Sequence, residues 1–391
     1  MNIAIIHDWL VSQRGGENVL DAICEIFPRA DLFTMIYVPN SVSPNIVRLN
    51  RQVSFLNRLP QAHRRYRHFL PLMPKAVERF DLSKYDLIIS SSHCVAKGVL
   101  KAPGAFHLSY VHAPMRYMWD RFDEYFSADR SGILTRTVAR LMRSYFQRWD
   151  QNSASRVDAF LANSNFIASK IKEYYGRDAQ VVYPFCETEN LGRARNPGKN
   201  FLMVTALVPY KRVDLAIRAF DRLGLPLIIV GDGPDRSRLE KLAGKKTEFL
   251  GALKNDSLAD LYSKCRALVF PGIEDFGIVP IEAMAAGAPV IAFGAGGALE
   301  TVTPQTGLFF TEPSEDSLIE AVQKFIATEN QFSEDACRKQ GRKFNRTRFQ
   351  LEFLEALVHA LKKEHSTKIE SFLKTLGNAP EPVRAWSLTS L

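Results

Sequence analysis

The sequence predicts an α/β protein with two domains, each built on a parallel β-sheet. Short runs rich in β-branched residues alternate with amphipathic helical segments along most of the 391 residues, which is typical of parallel sheets with crossover helices. The polar segment Glu187–Asn200, rich in Gly, Pro and Asn, interrupts this alternation and indicates an interdomain linker. The length also suits two domains of ordinary size, each with its own core.

In the first half, five segments are predicted as strands: Asn2–His7, Leu32–Tyr37, Asp86–Ser91, His107–His112 and Ala159–Asn163. A helix is predicted to begin at Gly15–Gly16, with apolar residues at helical spacing that include Val19, Leu20, Ile23, Ile26 and Phe27. A second helix is predicted from about Ile133 to Trp149. Its expected apolar face consists of Leu134, Val138, Leu141, Tyr145 and Trp149.

After the linker a second series of strands is predicted: Phe201–Ala206, Leu225–Val230, Ala267–Phe270, Pro289–Ala292 and Leu308–Phe310. The last predicted helix is Phe349–Leu361. The expected domains are therefore residues 1–186, residues 201–345, and a C-terminal helix and tail, 346–391, that packs back on the first domain.

The composition limits the class of protein. With 46% hydrophobic and 24% charged residues, the chain is typical of a globular protein. Its five cysteines are far apart and form no zinc motif, and the apolar N-terminus lacks a basic leader. Since about 18 consecutive apolar residues occur nowhere, no membrane span is expected. A reducing cytoplasm fits best.

The positive charge is concentrated in the first half. Residues 1–185 hold 24 Lys and Arg against 16 Asp and Glu, a net charge of +8, while the net charge of the whole chain is +9. Part of the excess lies in Arg51–Arg79, where cations are interleaved with apolar residues, a pattern that suits an anionic membrane surface. An ordinary solvated helix face remains the alternative. No nucleic-acid partner is expected, because no binding module is present.

The most informative segment runs from Glu274 to Glu282 and continues as Ala-Met-Ala-Ala-Gly-Ala-Pro-Val. It lies between a predicted strand and a helix expected to start near Pro280, a residue suited to a first helical turn. Phe276, Gly277 and Ile278 would thus present backbone N–H groups at a helix N-terminus, which favours binding of a diphosphate. Glu274 and Glu282 could accept hydrogen bonds from sugar hydroxyls beside that phosphate.

Three further features are weaker when taken singly. Lys211 and Arg212 start a predicted helix, where cations are unfavourable without an anion. Gly15 and Gly16 follow the first strand and permit a tight turn; taken alone, the pair favours a plain turn without a binding role. His112 ends a strand and could line a crevice or be a structural hydrogen-bonding residue. His7, His93 and His107 are interpreted as structural.

These motifs resemble the retaining glycosyltransferases of family 4. The E-x7-E pair, the Phe-Gly after its first Glu and the E-A-M-A-x-G-x-P-V continuation all match that family. The resemblance covers about residues 1–360. It implies the GT-B fold, in which two Rossmann-like domains face each other across a cleft, and the N-terminal phrases resemble bacterial mannosyltransferases that build surface polysaccharides.

The resemblance also implies residue roles. Glu274 would contact the hydroxyls of the donor hexose, Glu282 the ribose, and Lys211 the diphosphate, while the backbone of Phe276, Gly277 and Ile278 would line sugar and phosphate. Gly15 and Gly16 would face the diphosphate, and His112 would contact the donor sugar. Two departures stand out: Ala206 occupies the family's usual arginine position and Arg212 its usual glycine position. Whether Arg212 compensates for the arginine is open.

The expected function is transfer of a hexose, with mannose from GDP-mannose favoured, to a hydroxyl of a growing lipid-linked glycan. No cofactor or metal is expected, because Lys211 and helix N-termini can replace a cation. The expected location is the cytoplasm, peripheral on the inner face of the cell membrane. Alternatives are another sugar-nucleotide-dependent GT-B enzyme and a non-catalytic sugar-nucleotide-binding subunit, which the loss of arginine at Ala206 favours.

Overall fold

The computed structural model describes residues 1–125, 132–188, 191–253, 255–364 and 368–389. Its strands are β1 Ile3–Leu10, β2 Asp31–Tyr37, β3 Asn50–Val53, β4 Leu87–Ser92, β5 Phe106–Val111, β6 Ala159–Ala162, β7 Ala179–Val181, β8 Phe201–Val204, β9 Leu227–Val230, β10 Thr247–Gly251, β11 Leu268–Phe270, β12 Val290–Phe293 and β13 Gly307–Phe310.

The helices are α1 Gly15–Ile26, α2 Pro44–Val47, α3 Ala62–Arg65, α4 Met73–Val77, α5 Phe122–Tyr125, α6 Ile133–Ala154, α7 Asn165–Tyr175, α8 Val213–Leu223, α9 Arg236–Leu242, α10 Asn255–Lys264, α11 Ile278–Ala285, α12 Ala298–Thr301, α13 Glu315–Thr328, α14 Glu334–Arg342, α15 Arg346–Glu364, α16 Ile369–Thr375 and α17 Glu381–Thr389. Within the described ranges, none of them combines the length and the apolar character needed to cross a bilayer.

The chain folds into two compact units. The first unit consists of Met1–Pro184 and Thr347–Leu391, and the second of Phe185–Arg346. Each unit contains a parallel sheet with helices, so the predicted α/β class with two Rossmann-like domains is confirmed. The segment predicted as a linker packs onto the second unit: Leu191 is buried, and the guanidinium of Arg195 donates to the carbonyl oxygens of Cys265 and Arg266 at 2.9 and 3.0 Å.

Among the described residues, the first sheet has seven parallel strands in the order β3-β2-β1-β4-β5-β6-β7. The central strands are buried on both faces and are accordingly near-continuous in apolar residues. The direction of strand succession reverses between β1 and β4. In open α/β sheets, ligands bind outside the carboxyl ends of the strands at such a reversal.

The second sheet has the order β10-β9-β8-β11-β12-β13 in the described part of the chain, with all pairs parallel. This is the strand order of a dinucleotide-binding Rossmann fold. Its reversal lies between β8 and β11. The loops after these two strands are therefore the expected location of a ligand in the second unit.

Helix α1 begins at Gly15 as predicted and buries the predicted face. Of the described residues on its predicted face, helix α6 buries Trp149 alone. It buries Ala139, Phe146 and Trp149, whereas Val138, Leu141 and Tyr145 are exposed, Leu141 at 76%; the side chain of Leu134 lies outside the described part. The helix carries two apolar stripes and can bury only one. The buried stripe has the larger rings, and Trp149 packs against Gly98, where a Cβ would lie 2.5 Å from the indole.

The C-terminal helices belong to the first unit. Helix α15 places Phe349 and Phe353 against Tyr110 of β5, with ring centroids 5.8 and 6.4 Å away. The amide of Gln350 donates to the carbonyl oxygen of Ala22 in α1 at 3.3 Å. Through these aromatic contacts, α15 is part of the hydrophobic core that packs against the first sheet.

Candidate functional site

The loops at the reversal point of the second sheet contain two charged residues that belong to motifs identified in the sequence. Lys211 ends a 3-10 turn, Pro209–Lys211, after β8, and Glu274 lies in the loop between β11 and α11. The Nζ of Lys211 and Oε1 of Glu274 form an ion pair, and the two side chains are only 17% and 15% exposed. The structure therefore brings together a cation and a carboxylate that are 63 residues apart in sequence.

This ion pair determines what the site can bind. In a partly buried pair, each charge compensates the other, and removal of one partner leaves the second uncompensated. A phosphate that reaches Lys211 can replace Glu274 as its partner. The carboxylate of Glu274 is then free to accept hydrogen bonds from hydroxyl groups of the same ligand.

The start of α11 supplies backbone donors beside this pair. Gly277 caps the helix with φ 89° and ψ 78°, a left-handed conformation that favours glycine. Ile278 begins the helix two residues before Pro280, so Gly277 and Ile278 lie where backbone N–H groups have no acceptor within the helix. The ring of Phe276 is buried against Phe344, with ring centroids 5.7 Å apart, and leaves only its backbone for a ligand.

Glu282 lies one turn further along α11 and is half-buried. The hydroxyl of the buried Tyr262, in α10, donates a hydrogen bond of 2.8 Å to its Oε2. Burial raises the pKa of Glu282, and the bond from Tyr262 opposes this by favouring the ionised form. One carboxylate oxygen is thus fixed by the protein, and the other can accept hydrogen bonds from a ligand.

Arg212 is placed differently from Lys211. Its backbone is left-handed, with φ 51° and ψ 40°, in the position before α8 where the family has glycine. Its Nε lies 3.7 Å from Oδ1 of Asp214, and Nη2 donates to the carbonyl oxygen of Pro313 at 3.5 Å. Both interactions point the guanidinium along the start of α8, and 38% of the side chain is exposed.

Two glycines that the sequence analysis missed support the Glu274 loop. Gly296 and Gly297 lie between β12 and α12, and the N–H of Gly297 donates to the carbonyl oxygen of Glu274 at 2.9 Å. A Cβ on Gly296 would lie 2.4 Å from that oxygen, and one on Gly297 would lie 2.3 Å from Phe276. Any side chain at either position would displace the loop. The signal in the sequence was the glycine-rich run from Gly294 to Gly297.

The first unit places a cluster of polar residues at its own reversal point. His7 lies in β1, Ser91 in β4, and His112 directly after β5. The Oγ of Ser91 lies 3.0 Å from Nδ1 of His7 and 2.8 Å from Nε2 of His112. The structure thus groups His7, interpreted from the sequence as structural, with the predicted site residue His112.

The start of α1 closes this cluster. Glu17 is buried, and its Oε1 lies 3.8 Å from Nε2 of His7 while its Oε2 accepts from the backbone N–H of Arg14 at 3.0 Å. Burial opposes ionisation of Glu17, but the contacts with His7 and the nearness of His93 outweigh it and lower its pKa. A Cβ on Gly16 would lie 3.8 Å from the ring of His112, so the Gly15–Gly16 turn passes directly over that imidazole.

His93 is the third histidine of the cluster. Its ring centroid lies 5.8 Å from that of His7 and 6.3 Å from that of His112. Its Nδ1 lies 3.2 Å from Oδ2 of the buried Asp8, whose carboxylate also accepts four backbone N–H groups of residues 93–96. His107 is separate: its Nε2 is paired with Oγ of Ser90 at 2.8 Å.

His112 is neutral in this environment. Burial lowers its pKa well below the ordinary histidine value, and the neighbouring His93, His7 and Arg116 lower it further. Trp119 follows His112 in the chain and is bonded to an interior residue. Its Nε1 donates to Oδ2 of the buried Asp150 at 2.8 Å, and its ring stacks on that of Tyr174 with centroids 4.4 Å apart.

The basic stretch of the first unit is divided between core and solvent. Apart from the half-buried Arg51, its cations are exposed, namely Arg58, Arg64, Arg65, Arg67, Lys75 and Arg79. Its aromatic and aliphatic residues Phe69, Leu70 and Phe80 pack against the core instead, although Leu72 is 44% exposed. The stretch therefore presents a surface that is mainly charged, in contrast to the interleaved surface that the sequence predicted.

Comparison with known proteins gives two family matches. The family profile described as glycosyltransferase family 4 matches residues 14–190, and the one described as glycosyl transferases group 1 matches residues 189–344. A GDP-mannose-dependent alpha-mannosyltransferase of Mycolicibacterium smegmatis is 34% identical over 198 residues, 47% of this chain and 52% of the relative. The O-antigen chain mannosyltransferase C of Escherichia coli is 28% identical over 225 residues, 51% of this chain and 60% of the relative. The chain thus spans about half the length of the curated relatives it matches.

Solved structures share the fold at low sequence identity. Sucrose-phosphate synthase from Thermosynechococcus elongatus superposes with a TM-score of 0.68 at 18% identity, over 93% of this chain and 100% of the other. HepE of Anabaena in complex with UDP-glucose gives a TM-score of 0.64 at 17% identity, over 91% of this chain and 99% of the other. At these identities the similarity concerns the fold alone.

Proposed function

The chain belongs to the family-4 glycosyltransferases of GT-B fold, and we propose that it transfers a hexose from a nucleotide-sugar donor to a hydroxyl of a growing glycan. The observation that carries this proposal is the ion pair between Lys211 and Glu274 at the reversal point of the second sheet. It provides one group for a diphosphate and one for sugar hydroxyls, which are adjacent parts of a sugar nucleotide.

The donor is held by charge and by directed hydrogen bonds. Lys211 and the first-turn amides of α11 bind the diphosphate, Glu274 accepts from the hexose hydroxyls, and Glu282, oriented by Tyr262, accepts from the ribose. Arg212 adds positive charge next to Lys211, at the start of α8. In the first unit, the turn at Gly15 and Gly16 lies next to the His112 imidazole. This imidazole contacts a sugar.

The proposed chemistry is substitution at the anomeric carbon with retention of configuration. The bond between that carbon and the β-phosphate oxygen breaks, and a bond to the acceptor oxygen forms on the same face. The acceptor proton passes to the departing phosphate oxygen. Lys211 and the amides of α11 stabilise the charge that develops on this leaving group, the role that a bound metal ion has in other enzymes. We therefore propose that no metal is required.

Mannose from GDP-mannose is the proposed donor. The support comes from relatives whose names specify GDP-mannose or mannosyl transfer, among them the enzymes of Mycolicibacterium smegmatis and Escherichia coli. Incubation of the protein with GDP-mannose, GDP-fucose, UDP-glucose and UDP-galactose tests this directly. Release of GDP from GDP-mannose at least tenfold faster than release of nucleotide from the other donors is the expected result, and the anomeric configuration of the product decides the question of retention.

The proposed acceptor is a lipid-linked glycan, so the protein would work at the inner face of the cell membrane as a peripheral protein. Two surfaces of the first unit support this. The exposed cations around Arg64, Arg65 and Arg67 suit anionic head groups. The exposed stripe of α6, with Leu141 and Tyr145, carries apolar side chains next to the exposed Arg140 and Arg148, which suits insertion at the boundary of an anionic bilayer.

A second candidate is a subunit that binds a sugar nucleotide without catalysis. It is favoured by the exposed Ala206, which stands where the family has an arginine. Hydrolysis of the donor by the purified protein separates the two candidates. The enzyme would release nucleotide slowly in the absence of acceptor and lose this activity in Glu274→Ala but not in the exposed control Glu248→Gln, whereas a binding subunit would release none.

A further inference from the structure

Ser91 joins two histidine rings through a single hydroxyl group. Its Oγ lies within hydrogen-bond distance of Nδ1 of His7, at 3.0 Å, and of Nε2 of His112, at 2.8 Å. A hydroxyl has one hydrogen to donate, so at most one of the two ring nitrogens can accept from Ser91, and a nitrogen that does not accept must donate to it. The tautomers of His7 and His112 are therefore coupled.

Glu17 determines which nitrogen of His7 carries hydrogen. Its Oε1 faces Nε2 of His7 at 3.8 Å, and both side chains are buried. This distance exceeds that of a hydrogen bond, but it leaves a strong electrostatic preference in a poorly screened interior. An N–H directed at an ionised carboxylate is favoured, whereas a nitrogen lone pair in that position is repelled. In a neutral His7 the single ring hydrogen therefore lies on Nε2, and Nδ1 accepts from Ser91.

The remaining assignment follows from the number of hydrogens. Because the hydroxyl hydrogen of Ser91 is donated to His7, its oxygen must accept from Nε2–H of His112. His112 is neutral, since burial and the two neighbouring histidines lower its pKa, and a neutral imidazole carries one hydrogen on its two nitrogens. In the described part of the chain, Nδ1 of His112 has no protein hydrogen-bond partner.

We propose that Glu17, His7 and Ser91 form a relay that fixes His112 in the Nε2–H tautomer and leaves its Nδ1 as a hydrogen-bond acceptor. Glu17, His7 and Ser91 are positioning residues, because they act through His112. The relay determines what His112 can bind: a group that donates hydrogen, such as a sugar hydroxyl, and not a phosphate oxygen or a carbonyl oxygen. This last step rests on the proposed function, since it takes a sugar as the ligand.

The tautomer can be measured without any substrate. Long-range proton–nitrogen correlation spectra of the full chain labelled with ¹⁵N-histidine distinguish the ring nitrogen that carries hydrogen from the one that does not. The His112 signals are assigned by their loss in His112→Gln. We expect wild-type His112 to show hydrogen on Nε2 and none on Nδ1.

Two variants test the relay itself. Ser91→Ala removes the link and Glu17→Ala removes the charge that orients it, so both should convert His112 to a mixture of tautomers. Ser90→Ala is the matched control, because Ser90 lies next to Ser91 in β4 and its hydroxyl is paired with His107 instead. In Ser90→Ala, the ring-nitrogen signals of His112 should be unchanged, whereas those of His107 should change.

Hydrogen on Nδ1 of His112 in the wild type would overturn the proposal, and so would an unaltered His112 pattern in folded Ser91→Ala. If one variant fails to fold, the wild-type spectrum and the other variant still test the relay. Failure of the proposed function is a separate result: the predicted tautomer in a protein that consumes no sugar nucleotide would leave the relay standing and remove the transferase.

Discussion

The hydroxyl of Tyr262 donates a 2.8 Å hydrogen bond to Oε2 of Glu282, across the contact between α10 and α11. Glu282 is the second carboxylate of the E-x7-E pair, and Tyr262 is buried. The bond holds a half-buried carboxylate in one orientation and partly offsets the effect of burial on its pKa. Binding of the nucleotide should therefore depend on both residues and on pH.

We expect Glu282→Ala to weaken GDP binding by about 1.5–3 kcal/mol, the cost of lost hydrogen bonds to a charged group. Tyr262→Phe should weaken it less at neutral pH. As pH falls, protonation of Glu282 removes the charged acceptor and affinity declines. Since the Tyr262 bond lowers the pKa of Glu282, this decline should begin at higher pH in Tyr262→Phe than in the wild type. Isothermal titration of GDP from pH 5 to 8 measures both effects, with the exposed Tyr145→Phe as control. Identical pH profiles would contradict the role of Tyr262.

Glu274→Ala should abolish transfer while the affinity for GDP stays within a few fold of wild type. The nucleotide does not carry the hexose hydroxyls that Glu274 is proposed to bind, and removal of the carboxylate leaves Lys211 available for the diphosphate. Lys211→Ala should instead weaken GDP binding strongly. Titration calorimetry and donor turnover separate the two variants. A large loss of GDP affinity in Glu274→Ala alone would exchange the roles assigned to Glu274 and Glu282.

The reaction should proceed at an unchanged rate in excess EDTA. The charge on the leaving phosphate is assigned to Lys211 and to the amides at the start of α11, and chelation affects neither. Nucleotide release is measured with and without EDTA, and then with added magnesium or manganese. Activity that disappears with chelator and returns with either ion would remove this account of leaving-group stabilisation.

Replacement of Arg212 should separate backbone strain from side-chain charge. A non-glycine residue in the left-handed conformation costs about 1–2 kcal/mol, so Arg212→Gly should raise the free energy of unfolding by about 1 kcal/mol. Arg212→Ala removes the guanidinium but keeps the strain. If Arg212 contributes to the donor site, GDP affinity should fall equally in both variants, while thermal or urea unfolding shows stabilisation in the glycine variant alone. Wild-type affinity in both would remove Arg212 from the site.

The basic surface of the first unit should bind anionic vesicles in a salt-dependent manner, because such attraction is screened over about 8–10 Å at physiological ionic strength. Replacing Arg64, Arg65 and Arg67 together by Glu should release the protein without changing GDP affinity. The control is the same charge reversal at Lys339, Arg342 and Lys343, exposed cations of the second unit. Flotation with phosphatidylglycerol and with phosphatidylcholine vesicles at low salt measures binding. Equal binding to both kinds of vesicle would show that these cations form an ordinary solvated surface.

Most strands of the two sheets could be predicted from the sequence. The strands that were missed have their position in the sheet in common. The prediction located every described strand except β3, β7 and β10, and each of these lies at the edge of its sheet. An edge strand is paired on one side only and has little apolar surface to bury: β3 and β7 alternate between exposed and half-buried residues. They lack the apolar run that identifies the central strands.

The candidate site divides in the same way. Lys211, Glu274 and Glu282 could be predicted because they belong to motifs that are local in sequence. Ser91 and Gly297 act through partners far along the chain: Ser91 joins residues 84 positions before it and 21 after it, and Gly297 donates to Glu274. No local pattern indicates such contacts. For the same reason the sequence could not decide which apolar stripe of α6 faces the core.

The first unit is interrupted in sequence by the whole of the second, and this has a consequence for biosynthesis. At roughly 5–20 residues per second, a ribosome needs about 10–30 s to pass from residue 184 to residue 347. Throughout that interval Tyr110 and the neighbouring part of the first sheet lack Phe349 and Phe353, their partners from α15. The second unit is continuous and can complete its core as it emerges. The nascent chain therefore finishes its later half before its earlier one, and until α15 arrives the exposed face of the first sheet is the surface on which a chaperone would act.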